Sequence, residues 1–546
     1  MRPALPRHLR HYLRSLDHVG VIVALGFFIL SLTPSLLPRA WPVQGLVSGF
    51  TVAAGYGIGV ALAWVARRIG VPQPGDLLRL RAWFVITGLA VVTVPGILWL
   101  SSGWQREIRR AVGIHSDSRS LYLGVFVIAA ALAAALVGLV RVLRDLYGWI
   151  ARRLHRFLPG LLARIVAVCV VAALAIGIAN GVVYDGLINL ANSTFSVSDN
   201  SNYAGVERPS SPERSGSPDS LVQWDTLGLE GRAFVARGPA AAEIAQFTGR
   251  PAMVPIRVFA GLDSAATLDD EAHLVLAELR RTGAFDRAVL AVATSTGTGW
   301  IDPALADPLE YMYGGDTAIA SMQYSFLPSW MSFLVDSGKA RQAGRLLFNA
   351  VYGYWRQLPP EHRPRLVVFG ESLGSYGAAA AFSGPDDLAA RTSGALFVGT
   401  PNSTQSWREL TDQRKHGSPE RLPVYGDGRT VRFAADAKDL REPDGSLSSP
   451  TLVYLQHASD PIVWWSTSLL WHKPDWLGEP RGADVIGAMH WYPIVTFWQV
   501  TSDLIASTAV PAGHGHNYGP EAITAWQAIL HPPGWTDADT AALAQR

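Results

Sequence analysis

Residues 365–380, RLVVFGESLGSYGAAA, hold a residue type and spacing suited to nucleophilic chemistry. Gly370-Glu371-Ser372-Leu373-Gly374 matches G-x-S-x-G, a pattern that sets a serine on a sharp turn between strand and helix. A serine hydroxyl is a weak nucleophile until a base takes its proton. It must therefore stand clear of the sheet, where a base and a carbonyl can both reach it. The apolar run Leu366, Val367, Val368, Phe369 predicts a strand covered on both faces. The small residues Ser375, Gly377, Ala378, Ala379 and Ala380 predict a helix that can lie close to it.

Such a serine needs an acid and a histidine later in the chain, in that order for a strand–elbow–helix of this kind. After the strand-like TLVYLQ come His457, Ala458, Ser459, Asp460 and Pro461. Asp460 is the candidate acid, because active-site groups of open α/β sheets gather at the C-terminal ends of strands. An aspartate before proline also suits a capped turn. Asp436, Asp439 and Asp444 lie in more polar, irregular sequence and are weaker candidates. The glycine-rich loop Val510-Pro-Ala-Gly-His-Gly-His-Asn-Tyr-Gly519 supplies His514 and His516, just before a helical pattern over 520–530. Two histidines two apart can hold a metal, but no third ligand cluster accompanies them, so neither metal nor cofactor is expected. His472 and His490 read as structural or substrate-contacting.

An oxyanion hole needs two backbone N–H groups aimed at the developing charge. The first candidate is that of Leu373, directly after the nucleophile. The second is expected from Thr296 or Gly297 in the loop TSTGTGW, which follows a strand-like run ending at Thr294. Gly261-Leu262-Asp263-Ser264 is a rival that follows a strand one unit earlier. Trp300, Trp464 and Trp465 are the candidate substrate contacts.

These residues need a scaffold, and the chain divides into regions that can provide it. Hydrophobic residues make up 49% and charged residues 16% of 546, with a net charge of +2, which gives no footprint for nucleic acid. Five apolar stretches, about 19–37, 46–65, 82–100, 121–140 and 161–183, are long enough to cross a hydrocarbon core of about 30 Å. Region 1–188 is thus expected to be a multi-pass helical membrane domain. The first stretch lacks a small-residue cleavage site and reads as a retained anchor. Fourteen arginines lie before the first stretch and between the second and third and the fourth and fifth, against five on the other side. That bias puts the N-terminus in the cytoplasm and everything after the fifth span outside the cell membrane. Region 189–222, with RPSSPERSGSPDS, has linker composition. From 223 to 546 strand and helix patterns alternate, as in an α/β domain with a mostly parallel sheet and helices on both faces. The one cysteine, Cys169, excludes an internal disulfide and reads as a packing residue. Residues 461–510 are dense in tryptophan, as in a cap that receives an acyl chain or in packing against the membrane domain. Gln499 and Asp503 argue against a sixth span there.

The chain resembles the α/β-hydrolase superfamily. More closely, it resembles a family of actinobacterial membrane proteins that join a multi-pass N-terminal domain to an α/β-hydrolase catalytic domain. The resemblance rests on GESLGS at 370–375, GTPNS at 399–403, HASDP at 457–461 and GHGHNYG at 513–519, and covers essentially the whole chain. It implies a serine hydrolase and leaves the substrate open. Gly-His-Gly some six residues before the last helix resembles the catalytic-histidine loop of many such enzymes, which favours His514 as base and leaves His516 as the alternative. The segment of over fifty residues between acid and histidine departs from the superfamily, and no last strand is evident in it. The expectation is a membrane-anchored serine hydrolase acting on an ester or thioester of a lipid or acyl group. A serine peptidase and a non-catalytic scaffold are the competing readings, and the sequence is silent on oligomeric state.

Overall fold

The computed structural model of the chain describes residues 16–72, 75–115, 122–178, 180–181, 199, 201–327, 331–333, 337–442 and 450–546. These form two compact units. One is Met1–Leu187 with Ser466–Ala506, and the other is Ile188–Trp465 with Ser507–Arg546.

The first unit is built on α1 His18–Ser31, α2 Trp41–Arg68, α3 Asp76–Ala111, α4 Tyr122–Leu154 and α5 Gly160–Gly177. The last four are long and apolar enough to cross a membrane, whereas α1 is a shorter apolar helix of 14 residues. At 1.5 Å per residue α1 spans only about 21 Å, so the first expected stretch, 19–37, is helical over only part of its length. Of the fifth stretch, residues 179, 182 and 183 lie outside the described residues. Small residues let α2 approach two partners. A side chain on Gly45 or Gly49 would meet Ile128 or Leu132 of α4, and one on Gly55 or Gly59 would meet Phe27 or Gly20 of α1. This is the small-residue packing typical of helices in lipid. Cys169, expected to pack, is instead exposed on α5.

Residues 466–506, expected to continue the catalytic domain, belong to this first unit. Their helix Val495–Asp503 packs on α1 and α2. Trp498 stacks on Phe50 with ring centroids 4.3 Å apart. Asp503 accepts from the Ser35 hydroxyl and from Leu36 N–H at 3.1 Å, and pairs with Arg39 Nε at 3.2 Å. The Gln499 amide donates to the Thr33 carbonyl at 2.9 Å. The polar residues that argued against a sixth span are thus the contacts that hold this helix.

The second unit is a seven-stranded sheet in which every paired strand is parallel. Its strands are β1 Ile256–Ala260, β2 Val289–Thr294, β3 Thr317–Met322, β4 Arg365–Glu371, β5 Gly394–Val398, β6 Val431–Ala434 and β7 Leu452–Leu455, in spatial order β1-β3-β2-β4-β5-β7-β6. Alternate residues Val289, Ala291, Ala293, Val367, Phe369, Leu396, Val398, Val453 and Leu455 share one core with Trp526 and Ile529. Trp526 and Ile529 come from α6 Glu521–Leu530. Intervening residues such as Leu290, Val292 and Val368 are equally buried. Period-two burial on both sides explains the continuous apolar runs in the sequence.

Two features depart from expectation. Residues 213–215, assigned to a linker, pair with the outer side of β1 through Ser215 N–H to Arg257 carbonyl and Arg257 N–H to Glu213 carbonyl, each 3.1 Å. The edge strand β6 arises from sequence that looked irregular. It takes the place beside β7, while no strand is found among the described residues of 466–506.

Candidate active site

The register of the sheet brings the important loops to one edge. Thr294 pairs with Gly370, Glu371 with Val398, and Val398 with Leu455. The segments after β2, β4, β5 and β7 therefore leave the sheet side by side at its C-terminal edge.

Ser372 stands at the end of β4 with φ 55° and ψ −123°. Positive φ at a residue with a Cβ costs of order 1–3 kcal/mol and persists only where its surroundings enforce it. Here Ser372 N–H donates to the Val398 carbonyl at 2.8 Å, and the Ser375 hydroxyl donates to the Ser372 carbonyl at 2.6 Å. A side chain on Gly370 would collide with Gly374, and one on Gly374 with the Thr294 carbonyl. The glycines of the motif are therefore required by close approach of strand and helix. Leu373 opens the helix Leu373–Ala379, so its N–H is one of the donors a helix start leaves unsatisfied.

Asp460 is fully buried and uses its two oxygens differently. Oδ1 accepts from Ile462 N–H at 2.8 Å, capping the short helix Pro461–Trp464. Oδ2 accepts from His516 Nδ1 at 2.7 Å and from the Tyr518 hydroxyl at 2.8 Å. The expected capped turn is present, and the second oxygen meets a histidine of the 510–519 loop. The histidine facing Asp460 is His516, not His514. His516 is buried, whereas His514 is half-buried in the turn closed by Asn517 N–H to the His514 carbonyl at 3.2 Å. Gly515 N–H donates to Ser459 Oγ at 2.7 Å, which ties the histidine loop to the acid loop. Gly399, at φ 54°, opens the space for the ring, since a side chain there would strike His516.

The loop after β2 lies beside the elbow, as expected for the second oxyanion donor. Thr296 N–H, however, already donates to the Trp300 carbonyl at 2.9 Å, which leaves Gly297 as the better candidate of the two. The rival loop 261–264 follows β1, which β3 and β2 separate from β4. Trp464 is enclosed, edge to face with Trp407 at 6.2 Å, and its indole donates to the His457 carbonyl at 3.1 Å. It is a structural side chain rather than a substrate contact. Trp465 is half-buried against Phe333, and Trp300 is half-buried. His472 and His490 lie in the first unit.

A sequence model of the alpha/beta-hydrolase family matches residues 256–543, over half the chain, and one for that family's N-terminal region matches residues 32–239. The chain belongs to the alpha/beta-hydrolase family. No curated protein and no solved structure matches it.

The hydrolase unit holds charged neighbours that motif reasoning passed over. Glu371 occupies the variable position before the serine, and its Oε1 lies 3.7 Å from His516 Nε2. Burial holds its carboxyl well above the usual range, reinforced by the charge of Asp302 and a hydrogen bond with it. Asp302 is pushed up to about 6 by burial, against the Ala304 N–H and Glu371 hydrogen bonds that favour its charged form. Burial is thus the leading cause of the rise at both carboxyls. On the far side, His457 stacks on Tyr518 at 4.1 Å, and its Nε2 lies 3.2 Å from Glu521. Burial lowers the basicity of His457, but Glu521, the Gly515 carbonyl and Asp460 outweigh it and raise it overall. Glu371 is visible in the motif as an acid directly before Ser372. Asp302 is brought to it only by the β2–β4 pairing.

Proposed function

We propose that this protein is a membrane-anchored serine hydrolase that cleaves an ester or thioester of a lipid or acyl group. The observation that carries the reading is the Asp460–His516 pair at 2.7 Å, in the same unit as Ser372, which is held at positive φ on a strand–helix elbow. Ser372 Oγ attacks the acyl carbonyl while His516 Nε2 takes its proton. Asp460 fixes Nδ1–H and so leaves Nε2 unprotonated and facing the reaction. The Leu373 N–H, with an N–H from the β2 loop at Gly297, stabilises the oxyanion. The imidazolium then protonates the leaving alcohol or thiol, and water resolves the acyl-enzyme by the same route.

The catalytic unit is placed outside the cell membrane. Four crossings, α2 to α5, suffice for the argument. Arg67, Arg68, Arg79 and Arg81 flank the α2–α3 turn, and Arg141, Arg144, Arg152, Arg153, Arg156 and Arg164 flank the α4–α5 turn. Both turns are then cytoplasmic by the positive-inside rule, and the chain leaves α5 on the other side. Whether α1 also crosses, as a fifth span, changes only the side of the N-terminus.

The test is turnover of p-nitrophenyl esters of increasing acyl length, next to peptide anilides, by the full chain and by Ser372→Ala. Serine-dependent cleavage of esters is expected. Cleavage of anilides in preference to every ester would move the assignment to a peptidase, and no serine-dependent turnover of either would contradict the reading.

A further inference from the structure

The first unit carries a groove of about 980 Å³ between α2 and α4. That lies at the top of the range for ligand-binding pockets, about 300–1,000 Å³. Its walls are apolar, with Gly57 and Val60 from α2 facing Leu136 and Val140 from α4. A side chain at Gly57 would meet nothing within 4 Å, so the groove is open along α2 at that point.

One end of the groove is charged. Arg67, Arg141 and Arg144 line it together with Asp17 and Asp145. Asp17 Oδ1 caps α1 through Val19 N–H at 2.9 Å, and Oδ2 lies 3.4 Å from Arg67. Arg144 lies 3.3 Å from Asp145. Arg141 donates to the Tyr56 hydroxyl at 3.3 Å. Among the described residues, three guanidinium groups against two carboxylates leave a surplus of one positive charge.

The depth of that rim is set by the helices. Residues 123–140 of α4 carry no charge and extend about 27 Å, close to the thickness of the hydrocarbon core, before Arg141. Arg67 closes the apolar run of α2, and the exposed Trp64 one turn before it suits the interfacial belt. The charged rim thus lies where lipid phosphates lie, and the apolar walls run into the hydrocarbon.

We propose that this groove holds one anionic glycerophospholipid, its phosphodiester at Arg141 and Arg144 and an acyl chain along Gly57, Val60, Leu136 and Val140. The net charge of the rim matches a monoanionic headgroup such as phosphatidylglycerol. A choline headgroup brings a second cation to a rim already in cationic surplus. The site is independent of the hydrolase chemistry.

The test is native mass spectrometry of the full chain in mild detergent, offered phosphatidylglycerol and phosphatidylcholine of identical acyl chains in equal amounts. The wild type should retain one phosphatidylglycerol at least about fivefold over phosphatidylcholine. Arg141→Gln with Arg144→Gln should bring that ratio close to one, a loss of about fivefold or more. Gly57→Leu, which fills the wall and leaves the charges, should lower retention of both lipids. Equal retention of the two lipids by the wild type overturns the proposal, as does an unchanged ratio in the double variant. Because the wild-type ratio is read first, a variant that fails to fold does not rescue the claim.

Discussion

His516 Nδ1 lies 2.7 Å from Asp460 Oδ2, and the opposite ring nitrogen lies 3.7 Å from Glu371 Oε1. The imidazole is therefore held between an acid that orients it and a second acid beside the nucleophile. His516→Ala should reduce kcat about as far as Ser372→Ala, by several orders of magnitude, because members of a triad act as a unit. His514→Ala should retain turnover within roughly tenfold. The ester kinetics of the three variants decide this, and a larger loss for His514→Ala would restore the assignment made from the loop pattern.

Gly399 has no side chain, and the ring of His516 occupies the space one would take. Its φ of 54° makes any side chain strained as well. Gly399→Ala should therefore displace the imidazole, and a shift of about 1 Å at a reacting group costs on the order of 100-fold in rate. Near-normal kcat in a folded Gly399→Ala protein would mean that the histidine does not work from this position.

Asp302 binds its proton more tightly in the folded protein, at about 6, than its ordinary value of 3.8. A raised acid contributes no penalty while protonated and costs stability as pH rises through the folded value. Asp302→Asn should leave the melting temperature nearly unchanged near pH 4 and raise it at pH 8, by the equivalent of at most about 3 kcal/mol. Melting curves of the full chain at the two pH values test this. A lower melting temperature for the variant at pH 8 would show that the ionised carboxylate is stabilising.

Arg39 and Asp503 form a buried pair between the loop after α1 and the helix Val495–Asp503. Removing one partner of such a pair costs about 3–5 kcal/mol, whereas replacing both by apolar residues is often neutral. Asp503→Ala should destabilise the chain strongly in a thermal melt, and Arg39→Met with Asp503→Leu should recover most of the loss. Equal effects of the single and double changes would mean that the pair is not the main contact.

Much of the hydrolase sheet could be read from sequence because burial on both faces writes unbroken apolar runs. β2 ends at Thr294, where its strand-like run does, and the elbow is fixed by five adjacent residues. What could not be read depends on contacts between distant segments. Nothing local separates His514 from His516, since both follow glycine, and the choice is made by the acid loop after β7. β6 has a single short apolar alternation, and only pairing with β7 makes it a strand. The tryptophan-rich segment carried its own composition but not its address. Its place in the first unit is decided by Asp503 meeting Arg39 and Trp498 meeting Phe50, partners over 400 residues away.

The most direct measurement is covalent labelling of the full chain with a fluorophosphonate, with the adduct located by peptide mass spectrometry. A single adduct on Ser372 is predicted, absent in Ser372→Ala, strongly slowed in His516→Ala and little changed in His514→Ala. An adduct at another serine, or none at all on the folded wild type, would contradict the account.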